Sequence, residues 1–150
     1  MSLDTVLGLP VHVLVVHLVV VGVPVMCVLT VIAAARRRWR LRTAWVVVAL
    51  NAGLLAVTLV AKRAGQVLEQ RVGPAAVAEH AALGTLMPWF VLGLLVVSVL
   101  IPVVRHRRSM ATPVLVLVVL VAAANLVWVH RVGLSGADAV WGQVVESTNA

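Results

Sequence analysis

Four of the five histidines in this chain, His12, His17, His80 and His130, lie at or near the ends of long apolar runs. Neutral imidazole ligates haem iron, copper and zinc, hydrogen-bonds quinones and relays protons near neutral pH. Ionisable groups are costly in hydrocarbon, so their presence in apolar segments marks function by default. His12 and His17 are five residues apart, ~7.5 Å of rise and ~140° of rotation on a helix, so the two point too far apart to bind one iron. A pair on one iron therefore takes one histidine from the first run and one from the third or fourth. We expect His17 and His80 to be the axial ligands of a haem b. His12 and His130 then form a second pair or donate hydrogen bonds behind the first. Gly84, one turn after His80, leaves space for a flat ring, and Arg63 and Arg131 are placed to neutralise propionates. His106 stands among arginines and reads as solvated.

Other chemistries use the same groups. Glu79 beside His80 is an oxygen ligand for a copper or zinc site, although no HExxH motif or cysteine pair accompanies it. A quinone-binding or proton-handling role is a further reading. The plainest is that the histidines are interfacial groups hydrogen-bonded between helices. The half of each run nearer the arginine clusters carries no histidine, which disfavours a haem wire through the membrane and confines any redox role to one face. No carboxylate lies within an apolar run, which argues against a proton-coupled transporter. Asn51, Thr58 and Asn125 read as inter-helical hydrogen-bonding residues. Cys27 and Ser98 have no base beside them, and nothing points to an enzyme acting by itself.

Composition sets the frame for these residues. The chain is 63% hydrophobic and only 11% charged, with a mean hydropathy of +1.12, too little charge to cover a soluble fold of 150 residues. Its basic character does not imply nucleic acid, because the arginines cluster between apolar runs rather than along a polar face. Four runs are long enough to cross hydrocarbon, which takes ~20 apolar residues: about 11–35, 44–61, 81–104 and 110–129. The sequence therefore predicts an all-α integral membrane protein, a single-domain bundle of four transmembrane helices. Lys62 to His80 reads as an amphipathic segment on the outer surface, broken at Gly73–Pro74. Only a loose likeness links the two hairpins, and no stronger internal repeat stands out. Pro10 and Pro113 suit helix starts, whereas Pro24 and Pro88 predict kinks.

Eight of the twelve basic residues lie in two loops, RRRWRLR (36–42) and RHRR (105–108). The positive-inside rule puts both loops in the cytoplasm and both termini outside, N-out and C-out. Trp39 and Trp45 anchor the inner boundary and Trp128 the outer one. A multi-pass membrane protein follows, with anionic lipid at its basic face. A non-enzymatic scaffold or assembly subunit of a larger membrane complex is the alternative function.

The segments LPVHVLVVH (9–17), EQRVGPAAVAEHAALG (69–84) and VHRVGLSGADAVWG (129–142) together resemble the bacterial membrane family called domain of unknown function 2231. The likeness spans most of the chain. It implies a four-helix membrane domain with outer-facing histidines. Relatives are sometimes fused to Rieske iron–sulfur or cytochrome c domains, which implies an electron-transfer setting and partners of that kind. The sequence departs from the family pattern at Val13 and Val19, where prolines are frequent, and at Leu134, where a polar residue often precedes the Ser135–Gly136 pair. The SGADAVWG stretch reads as a tight turn that tucks Trp141 back onto the bundle as a cap.

Overall fold

The computed structural model describes residues 5–6 and 9–148. A minimal antiparallel pairing, β1 (Thr5–Val6) with β2 (Leu9–Pro10), leads directly into the first helix. The helices are α1 (Val11–Ala35), α2 (Arg37–Arg42), α3 (Ala44–Val72), α4 (Pro74–Val103) and α5 (Ala111–Thr148), with a short 3₁₀ turn at Arg108–Met110. Four of them are long and apolar enough to span a membrane. Helices satisfy every backbone group within the segment, and this lets such apolar sequence exist in hydrocarbon.

Three boundaries differ from the sequence expectation. The stretch read as a surface segment after Ala61 is the uninterrupted continuation of α3, and α4 starts at Pro74 rather than at Ala81. No proline lies between Ala61 and Val72, so the backbone keeps its ladder of hydrogen bonds through Gly65. The reversal falls where the sequence placed it. Gly73 adopts φ +93, a left-handed conformation that disfavours any residue with a Cβ, and Pro74 supplies the fixed φ of a first helical residue. Helix α5 likewise runs on through Gly133 and Gly136 instead of turning, and Trp141 is 62% exposed rather than a cap. Between α1 and α3 the arginine cluster itself forms α2. Its Arg40 is buried and donates from Nη1 to Ala34 O at 3.2 Å, tying that helix to the end of α1.

The four long helices form a closed ring in which α1 packs on α3 and α5, and α4 packs on the same two, with α1 and α4 diagonal. The two hairpins repeat one another. Positions 68 apart in α1 and α4 share the core: Val23 with Val91, Thr30 with Ser98 and Ala33 with Ile101, all fully buried. Positions 71 apart in α3 and α5 do the same: Val47 with Val118, Asn51 with Ala122, Leu54 with Asn125 and Ala61 with Val132. The loose likeness between hairpins in the sequence is thus a parallel structural repeat, with a pseudo-twofold axis along the bundle.

Polar groups within the bundle are few and mostly bonded. Asn51 Nδ2 donates to Thr30 Oγ1 at 3.1 Å, bridging α3 to α1, and Asn125 Nδ2 donates to Phe90 O at 3.0 Å, bridging α5 to α4. Thr58, expected to bridge helices, instead donates back to Leu54 O within α3. Trp128 does more than anchor an interface: it donates to Leu83 O at 3.2 Å and stacks on Phe90 with centroids 4.5 Å apart. Close approach of α1 and α3 is set at Gly22, where an added Cβ would lie 2.9 Å from Leu54 Cδ1.

The Asn51–Thr30 contact gives a direct energetic check. Asn51→Ala and Thr30→Val should each lower stability by about 1 kcal/mol, with a coupling of roughly 0.6 kcal/mol in the double variant, measured by unfolding in mixed micelles. Strict additivity of the two losses would contradict the bridge.

Candidate functional site

The end of the bundle opposite the arginine loops is where the repeat acquires chemistry. His12, in the first turn of α1, turns its Nδ1 to Ala61 O of α3 at 3.2 Å. His80, on α4, turns its Nδ1 to Val132 O of α5 at 3.1 Å. Ala61 and Val132 are equivalent positions in the two hairpins, as are the histidines themselves. One turn beyond each carbonyl stands a glycine. A Cβ at Gly65 would come within 3.1 Å of His12 Cε1, and one at Gly136 within 3.0 Å of His80 Cε1. Each imidazole therefore lies on a bare stretch of the neighbouring helix, pinned to the carbonyl four residues before the glycine.

The pinning fixes the tautomer. A backbone carbonyl only accepts hydrogen bonds, so the ring nitrogen facing it carries the proton. At His80 the Nδ1–H is shared with Ser135 Oγ at 3.2 Å, and Ser135 in turn donates to Val132 O at 3.0 Å. In its neutral form each ring then keeps Nε2 as an acceptor. A histidine that ligates a metal shows this same arrangement, its other nitrogen donating to a carbonyl that sets ring orientation and raises basicity.

The two rings stand next to each other, with centroids 6.3 Å apart and planes at 78°. Two imidazoles bound through nitrogen on opposite sides of one metal ion stand about 6 Å apart, from a metal–nitrogen bond of ~2.0 Å and ~1.1 Å from nitrogen to ring centre on each side. Both histidines line one cavity, together with Thr58, Lys62, Gln66, Glu69, Gly84 and Thr85 and an otherwise apolar wall from α1, α3, α4 and Val132. The cavity has a volume of about 110 Å³ and is partly open to the outside of the bundle.

The structure distributes the expected site residues unevenly. It brings together His12 and His80, with Gly84 in the wall of their cavity and open space where its side chain would project. The pairing of His17 with His80 is not what the fold provides: His17 is exposed, on the far side of α1 from His12, and does not line the cavity. His130 is also exposed. Arg63 is exposed and outside the cavity wall, whereas Arg131 lies over the Trp128 ring at 5.9 Å. Glu79 is exposed and away from the cavity wall. Among the described residues no group of three or more His, Cys, Asp or Glu converges. His106 is exposed and accepts from Arg105 Nε at 3.1 Å.

Sequence reasoning missed Gly65, Gly136, Ser135 and Lys62. The two glycines were detectable in principle, because each follows its histidine at a similar separation in the second helix of its hairpin. Gly136 was instead assigned to a turn.

Fold and site together define a small polytopic membrane protein built from two repeated helical hairpins, each bringing one clamped histidine to a shared cavity. The family model described as a predicted membrane protein, DUF2231, matches residues 8–149, and the chain belongs to that family. No curated protein and no solved structure matches the chain.

The glycine seats predict a measurable change of tautomer. In the ligand-free protein, nitrogen-15 NMR of selectively labelled histidine should report the Nδ1–H form for His12 and His80. Gly136→Val should shift His80 alone toward the Nε2–H form that free imidazole prefers. Nε2–H signals from both rings in the unsubstituted protein would refute the clamp.

Proposed function

We propose that the protein is a small membrane electron-transfer subunit of the b-type cytochrome kind, with haem iron held between His12 and His80. The observation that carries the reading is the pair of imidazoles, each pinned through Nδ1 to a backbone carbonyl, with ring centroids 6.3 Å apart. The donor set suits a low-spin iron with two nitrogen ligands. Space is the stricter test. The enclosed 110 Å³ is smaller than the ~150 Å³ that holds one benzene, so a macrocycle requires the open side of the cavity as well. Gly84 contributes to that space by lacking a side chain.

When bound, the group would supply one-electron redox chemistry at that end of the bundle. The chain's own part is to hold two ring orientations, to keep Nε2 basic through the Ala61 and Val132 carbonyls, and to surround the site with apolar wall. His17 and His130 take no part in ligation, and Arg131 is engaged with Trp128. With the arginine loops in the cytoplasm, the site faces the outside of a bacterial plasma membrane, where a Rieske or cytochrome c domain is a suitable partner.

A second reading has one observation in its favour. The small enclosed volume suits a bare ion, and two imidazoles alone suit copper in its reduced, two-coordinate state rather than zinc, which takes four ligands.

Optical spectra of protein expressed with haem available, oxidised and then reduced, combined with metal analysis, test both. The expected result is a Soret band that sharpens on reduction, with iron present. His12→Ala and His80→Ala should each abolish the low-spin form, and His17→Ala and His130→Ala should leave it intact. Copper without absorbance bands would favour the bare ion. A colourless, metal-free protein would overturn both and favour a scaffold role.

A further inference from the structure

We propose that Lys62 is the anion-recognising residue of the cavity, pairing with a carboxylate at the edge of a mainly apolar occupant. The proposal rests on the haem reading above and departs from its expected partners, since Arg63 and Arg131 lie outside the cavity wall.

Lys62 is half-buried on α3, one turn before Gln66, and lines the cavity with His12 and His80. Its Nζ reaches across to α4 and donates to Thr85 O at 3.3 Å. That carbonyl is its hydrogen-bond partner, and no carboxylate pairs with it among the described residues. Glu69, which lines the same cavity, lies nearly two turns further along α3 and is not bonded to it. An ammonium group has three protons to donate, so Lys62 keeps donor capacity and an uncompensated charge. The bond to Thr85 is exposed, so the ammonium group sits at the open side of the cavity, where a carboxylate at the edge of an occupant meets it.

The repeat makes this charge single. Lys62 corresponds to Gly133 in the second hairpin, Thr85 to His17, and Gly84 to Val16. The two histidine clamps are duplicated, but the opening at Gly84 and the cation beside it occur on the α3–α4 side alone. A symmetric pair of ligands thus meets an asymmetric pocket. One occupant per chain follows, held at its centre by both halves and oriented by Lys62.

The test uses the full chain in detergent, titrated with hemin and with hemin dimethyl ester, whose carboxylates are masked. Unsubstituted protein should bind one hemin per chain and favour it over the ester by roughly tenfold, the worth of one charge-assisted hydrogen bond. Lys62→Met should lose that preference while keeping the low-spin spectrum, and Lys62→Arg should retain it. Equal affinity of Lys62→Met and unsubstituted protein for hemin would overturn the role of Lys62 and leave the histidine pair standing. Failure of unsubstituted protein to bind either compound would overturn the haem reading and this proposal together.

Discussion

A buried imidazole must find an acceptor for its N–H, and inside a lipid-embedded bundle the acceptors within reach are helix carbonyls already bonded along their own helix. Such a carbonyl keeps a second lone pair, but the side chain one turn further on normally covers it. Removing that side chain exposes it. Gly65 bares the Ala61 carbonyl for His12, and Gly136 bares the Val132 carbonyl for His80. The cost of placing a polar ring between apolar helices is thereby offset, and each ring is left with one orientation, one tautomer and one free lone pair.

Duplication turns that local solution into a site. A single hairpin would present one clamped imidazole to lipid, with no second ligand. Two hairpins closed into a ring with α1 and α4 diagonal bring the clamps together at one end of the bundle. The opposite end carries the arginine clusters, with α2 tied to α1 through Arg40. Between the ends, Asn51 and Asn125 each bond to the first helix of their own hairpin, through different partners. The repeat is retained in the core and relaxed at the surface, where Lys62 and Gly84 open one side of the cavity.

Much of the fold was legible in the sequence because hydrocarbon leaves few options. Apolar length gave the four spans, and Gly73–Pro74 gave the reversal between α3 and α4. The ends of α3 and α5 were not legible, since amphipathic sequence with interspersed glycines reads equally as surface helix or turn. Gly136 is helical and lies against His80, a long-range contact that no local pattern reports. The site was partly legible. Histidine positions placed the candidate chemistry at one end, and the helical rotation between His12 and His17 showed that the two cannot meet at one ion. Which one faces inward depends on how α1 is rotated against α3, and that rotation is set by packing such as Gly22 against Leu54.

The central claim is that His12 and His80 share one iron with their ring planes almost perpendicular. Electron paramagnetic resonance of the oxidised, haem-loaded protein tests it most directly, because the low-spin ferric signal depends on the angle between axial imidazole planes. Planes at 78° predict a strongly anisotropic signal with one large g value, lost in both His12→Ala and His80→Ala. An ordinary rhombic signal from near-parallel rings, or a low-spin signal that survives removal of either histidine, would contradict the account.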